Sequence, residues 1–181
     1  FKDWIYEVEL CLERLQKTCS KIVVVGLSMG GTLTLYLAQK YPNLAGIIPI
    51  NAAIHMPELK TTYDQLKNSG TRFVEGIGSD IKKSGVTEFA YPKTPVKSMG
   101  DIIALMDQVR KDLTKVTVPT LIISSIVDNV VPPENSKEIY YSILSEDKSI
   151  IFLKNSYHVA TLDNDKELIA KECARFISNR V

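Results

Sequence analysis

Four short apolar runs alternate with segments of helical periodicity, and that alternation leaves the chain very few folds to adopt. The runs are Lys21–Val25, Ala45–Ile50, Pro119–Ser124 and Ser149–Leu153. The first, KIVVV, is β-branched and continuous, as expected of a buried strand. Between and around the runs, apolar residues recur every three or four positions. Trp4, Ile5, Val8, Cys11, Leu12 and Leu15 predict a helix over 3–16, and Ile102, Leu105, Met106, Val109 and Leu113 predict another. Further helices are expected over 29–41, 133–144 and 164–177. The helix at 133 starts with a proline, where a missing N–H costs nothing. The last helix is expected to start at a capping box of Asn164 and Glu167. Strands alternating with helices imply right-handed crossovers and a mostly parallel sheet covered by helices on both faces. The fold class is therefore α/β in three layers, and ligands are expected beyond the carboxyl ends of the strands.

Composition narrows the function by exclusion. With 45% hydrophobic and 24% charged residues, the chain is that of a globular protein rather than a disordered one. Its net charge of +1 gives no electrostatic case for nucleic acid or an anionic membrane. No apolar run is long enough to span a bilayer, so no stable membrane insertion is expected. Cys11, Cys19 and Cys173 are odd in number and scattered. They are expected to be reduced core thiols of a cytoplasmic protein rather than a disulfide or a metal site. The N-terminus shows no signal-peptide pattern.

Three of the four strand exits carry one reactive residue each. The first strand runs into Gly26-Leu27-Ser28-Met29-Gly30, a G-x-S-x-G sequence between a strand and a helix. Such a turn forces the serine into strained backbone and leaves its hydroxyl above the sheet. Side chains two residues to either side are expected to clash with neighbouring elements. A serine hydroxyl needs a base. His158 follows the fourth strand, and Asp128 follows the third and can orient that base. Each has an ordinary alternative use: a helix-capping serine, a surface histidine, a turn aspartate. Parallel strands weaken these jointly, because they deliver all three exits to one edge. The order Ser, Asp, His is the one expected on such a sheet. Asp163 and Asp165 are read as caps or dipole partners of the last helix, and His55 as a structural histidine.

The segments VVVGLSMGG, IISSIVDNVVPP and NSYHVATLD resemble the nucleophile, acid and histidine regions of α/β-hydrolases. Within that fold they are similar to bacterial carboxylesterases and monoacylglycerol lipases. The resemblance covers nearly the whole chain. It implies Ser28 as nucleophile, Asp128 as acid, His158 as base and the Met29 backbone N–H as one oxyanion donor. It also divides the chain into a hydrolase core, 1–50 and 116–181, and an insertion, 51–115, that resembles a lid. The family has further strands, and a His-Gly loop giving the second oxyanion donor, ahead of the first strand here. No such loop precedes Ser28, and the chain begins at Phe1 inside a helical pattern. The expectation is that N-terminal strands are absent from this sequence, or that the chain is half a hydrolase. A lost oxyanion donor costs ~3 kcal/mol.

The expected reaction is carboxylic ester hydrolysis through an acyl-enzyme, with no metal or organic cofactor. Leu27, Ile54, Met56 and Val130 are apolar residues near strand exits, and each is a candidate for lining an acyl pocket or for packing in the core. The expected partner is a small-molecule ester, of a short or medium acyl chain or a monoacylglycerol; the oligomeric state is not legible. The same machinery on a thioester or carbon–carbon bond is the alternative chemistry. A non-catalytic module or split fragment is the alternative class.

Overall fold

In a computed structural model, which describes residues 1–181, the chain runs α1 (Lys2–Gln16), β1 (Val23–Leu27), α2 (Met29–Lys40), β2 (Gly46–Ile50) and α3 (Pro57–Leu66). It continues through β3 (Phe73–Glu75), β4 (Lys93–Pro95), α4 (Val96–Lys111), β5 (Thr120–Ser125), α5 (Glu134–Ser142), β6 (Lys148–Leu153) and α6 (Lys166–Ser178). The four apolar runs form one parallel sheet in the order β1-β2-β5-β6.

The central strands are apolar on every position because both of their faces are covered. All residues of β2 and β5 are buried. Their side chains alternate between two cores, as the two-residue period of a strand requires. Ile47 and Ile122 point into the larger cluster, built with Leu12 of α1, Leu33 and Leu35 of α2, Leu105 and Val109 of α4, and Ile139 of α5. Ile48, Ile50, Leu121 and Ile123 point the other way, onto Ile169 and Phe176 of α6. Each such buried isoleucine or leucine contributes about 1.5–3 kcal/mol. β1 pairs with β2 alone, and its Val25 is 45% exposed.

Several local expectations are corrected. α4 starts at Val96, well before the strong apolar pattern, because Pro95 ends the extended chain and Val96 and Met99 are already buried. The hairpin of β3 and β4 gave no sequence signal, since each strand is three residues long and has only its middle residue half-buried. The capping box at Asn164 does not form. α6 starts at Lys166, and Asp165 turns its carboxylate away to accept from the Asn155 N–H at 2.8 Å and the Ser156 hydroxyl at 2.9 Å. The cysteines are not all core thiols: Cys11 and Cys19 are exposed, and Cys173 is half-buried. No helix is long and apolar enough to cross a membrane.

Candidate active site

The turn after β1 carries the conformation its sequence demands. Ser28 has φ 57° and ψ −121°, a region costly for any residue with a Cβ. Its N–H donates to the Ile50 carbonyl at 2.9 Å, tying the turn to the end of β2. Gly26 is obligatory for packing. A Cβ there would lie 2.2 Å from the Gly30 oxygen and 2.5 Å from Thr34 Oγ1. At Gly30 a Cβ would meet nothing within 4 Å, so the expectation of a clash on both sides of the serine is corrected. The second crowded glycine is Gly31, where a Cβ would meet Ala52 Cβ at 2.6 Å. Ser28 is the N-cap residue of α2, yet its hydroxyl makes no capping bond. It points at His158 instead.

The contact distances define a chain of three groups. His158 Nε2 lies 2.9 Å from Ser28 Oγ, and His158 Nδ1 lies 2.8 Å from Asp128 Oδ2. An ionised carboxylate can only accept, so Nδ1–H is the donor to Asp128. In the neutral imidazole Nε2 is then unprotonated and accepts from the serine hydroxyl. The Asp128 side chain is 2% exposed, and that of His158 is 8% exposed. The other Asp128 oxygen accepts from the N–H groups of Val130 and Val131, at 2.9 and 2.8 Å. Met29 is the first residue of α2, so its N–H has no acceptor within the helix.

The histidine loop is held by two carboxylates, Asp163, which the sequence assigned elsewhere, and Asp80, which it did not single out. Asp163 is not a cap of α6. It is fully buried and accepts from the N–H groups of Tyr157, Asn164, Lys82 and Lys83 at 2.7–2.9 Å. Burial alone would raise its pKa, but these four donors hold the carboxyl below its ordinary value. Asp80, from the segment between β3 and β4, accepts from the His158 N–H at 3.0 Å and from the Asn129 N–H and side-chain amide at 3.1 and 2.7 Å.

Two cavities meet at the serine. One, of about 250 Å³, is walled by Trp4, Met29, Met56, Leu59, Met99 and Ile102. The other, of about 360 Å³, carries Asp80, Glu88, Tyr91 and Lys93 as well as Leu27 and His158. Ser28, Ile77, Thr94 and Val130 border both. Of the apolar candidates, Met56 and Val130 thus lie on the apolar cavity and Leu27 on the polar one. Ile54 lines neither. It is fully buried in the larger core, its N–H donating to Asn135 Oδ1, which is the core-packing alternative of its reading. His55 is exposed and borders a separate depression with Lys60 and Arg110. Trp4, Leu59 and Ile102 were missed because a residue lining a cavity has the same helical spacing as one filling a core. No group of three or more His, Cys, Asp or Glu side chains is placed to hold a metal ion.

Comparison with known proteins gives concordant matches. The family model described as Hydrolase_4, serine aminopeptidase S33, matches residues 1–165. The thermostable monoacylglycerol lipase of Bacillus sp. strain H-257 is 43% identical over 180 residues, covering 98% of this chain and 71% of that protein. A solved structure of the metagenome-derived lipolytic enzymes LipS and LipT superposes with a TM-score of 0.94 at 42% identity, covering 98% of this chain and 73% of that one. A soluble variant of the Saccharomyces cerevisiae monoglyceride lipase, in complex with a substrate analog, superposes with a TM-score of 0.79 at 18% identity. That match covers 100% of this chain and 69% of the yeast chain, and at such identity it shows the fold alone.

Proposed function

Because the chain belongs to the serine aminopeptidase S33 family of α/β-hydrolases and is a serine hydrolase of the lipase and esterase type, we propose that Ser28, His158 and Asp128 form its catalytic triad and that its substrate is a monoacylglycerol or a short- to medium-chain acyl ester. The observation that carries this reading is the continuous contact from Asp128 through His158 to a serine held in strained backbone.

His158 Nε2 takes the hydroxyl proton as Ser28 Oγ attacks the ester carbonyl, and Asp128 stabilises the imidazolium that forms. The carbonyl oxygen becomes an oxyanion beside the Met29 N–H at the start of α2. The imidazolium then gives its proton to the leaving alcohol, and an acyl-enzyme remains on Ser28. Water deprotonated by His158 attacks the acyl carbonyl, releases the acid and restores the serine.

The two cavities support an ester with unlike ends. The cavity of Trp4, Met56, Leu59, Met99 and Ile102 suits an acyl chain, and the one carrying Asp80, Glu88 and Lys93 suits a hydroxylated alcohol such as glycerol. The segment 51–115 contributes most of both walls, which supports its reading as a lid. A fluorophosphonate probe is expected to label the protein at Ser28, and Ser28→Ala to lose both labelling and p-nitrophenyl ester cleavage. A Ser28→Ala protein that still turns the ester over refutes the triad.

A further inference from the structure

The base sits in irregular chain between β6 and α6, so nothing in a ladder or helix fixes it. Its loop is nonetheless fully tied. The Tyr157 carbonyl accepts from Ser125 Oγ at 2.8 Å, and the His158 carbonyl accepts from Asn51 Nδ2 at 2.8 Å. The His158 N–H donates to Asp80, and the next N–H, of Val159, donates to the Asp80 carbonyl at 3.1 Å.

Asn51 is the residue with most to explain. It is a non-glycine residue at φ 43°, 3% exposed, and directly follows β2. Its amide makes three bonds: Oδ1 accepts from the Ser125 N–H at 2.7 Å, and Nδ2 donates to Ser125 Oγ at 3.1 Å and to the His158 carbonyl. Its own N–H donates to the Ile123 carbonyl at 2.9 Å. The neighbouring Ile50 carbonyl accepts from the Ser28 N–H. Two consecutive residues at the end of β2 therefore grip the nucleophile's residue on one side and the base's residue on the other. One grip is the last residue of a fully buried strand and the other the residue that follows it, so only a few bonds separate them.

We propose that Asn51 is a positioning residue for the base, its side-chain amide setting the distance from His158 Nε2 to Ser28 Oγ from the end of β2. No sequence motif marks it, and its amide is turned toward the end of β5 and the histidine loop. Only a side chain with an acceptor and two donors on one planar head makes all three bonds. The isosteric Asp keeps the shape and tolerates the left-handed backbone, but sets an oxygen against the His158 carbonyl. That pushes the loop away from the serine without emptying the site.

This inference rests on the triad reading, and the test separates the two. The full chain is compared with Asn51→Asp, Asn51→Gly and Ser28→Ala, with p-nitrophenyl ester turnover and fluorophosphonate labelling as readouts. Asn51→Gly relieves the backbone strain and removes all three side-chain bonds, which protects the test against a misfolded Asp variant. Both Asn51 variants are expected to lose ~10- to 100-fold in kcat with KM within about twofold, the loss that a displacement of up to about 1 Å in a reacting group produces. Labelling is expected to reach one probe per chain, at a rate lowered in parallel with kcat. An unchanged kcat overturns the positioning role. So does a lowered labelling endpoint with an unchanged rate per labelled site, since that reports a smaller folded fraction and a merely structural residue. Activity surviving in Ser28→Ala overturns the triad, and the positioning role with it.

Discussion

The strain at Ser28 is held in place by what surrounds it. Its N–H is bonded to the Ile50 carbonyl, and the turn fits against α2 only because Gly26 has no side chain. A methyl at position 26 would have to displace the Gly30 carbonyl, which is backbone and cannot rotate aside. Gly26→Ala is therefore expected to cost about 1–3 kcal/mol, the usual penalty of overpacking, and to lower activity by moving the serine. Gly30→Ala meets open space within this chain and lies in α2, so it should fold with a denaturation midpoint no lower than that of the unaltered chain, alanine being favoured there by about 0.4–1 kcal/mol. Urea titration of the two variants side by side checks both statements; equal midpoints would show that the turn does not depend on Gly26. At this scale much was legible beforehand. A serine between glycines, an aspartate and a histidine at successive strand exits are chemically conspicuous, and the parallel sheet brings them together. The sequence did not distinguish Gly30 from Gly31, because that difference depends on where Ala52 lies.

Between elements, several ties are made by carboxylates, and these have no periodicity to betray them. Asp163 looked like an N-cap because it precedes a helix in sequence. Its four N–H donors instead join the histidine loop to residues 82 and 83, some 80 positions away in the chain. This is where the sequence was hardest to read, along with the hairpin of β3 and β4 that presents Asp80's segment. Because the folded carboxyl of Asp163 binds a proton less readily than the unfolded one, its stabilisation is complete above the unfolded pKa of ~3.9. It is lost as the pH falls below that, through the lower folded value. Asp163→Asn removes the charge and sets an NH2 against backbone donors. It is expected to lose about 2–4 kcal/mol at neutral pH, with hydrogen exchange accelerated at Lys82, Lys83 and Tyr157. The difference between wild type and variant should shrink below pH 4. A gap that stays constant from pH 7 to pH 3 would mean that the charge of Asp163 is not what holds the loops.

Taken whole, the molecule sets the serine at the end of a parallel sheet where an apolar and a polar cavity join, with walls drawn from α1, α3, α4 and the segment 77–95. The sheet was legible because period-two strands and period-3.6 helices repeat along the chain. The cavities were legible only in part: Met56 and Val130 stood out near strand exits, but Trp4, Leu59 and Ile102 did not, because no sequence pattern separates a wall from a core. The division nonetheless makes a quantitative statement about substrates. Each methylene moved from water into the apolar cavity gains about 0.8 kcal/mol, which is about fourfold in kcat/KM if the whole gain is realised in the transition state. Along a series of monoacylglycerols of increasing chain length, kcat/KM is thus expected to climb by about that factor per methylene until the space of about 250 Å³ is full, and then to level off. Leu59→Trp fills part of that space from α3. It should move the plateau to shorter chains while leaving the rate on the shortest esters within about twofold. If the plateau instead stays in place and all chain lengths slow equally, the acyl group does not lie in this cavity, and the assignment of the two cavities must be exchanged.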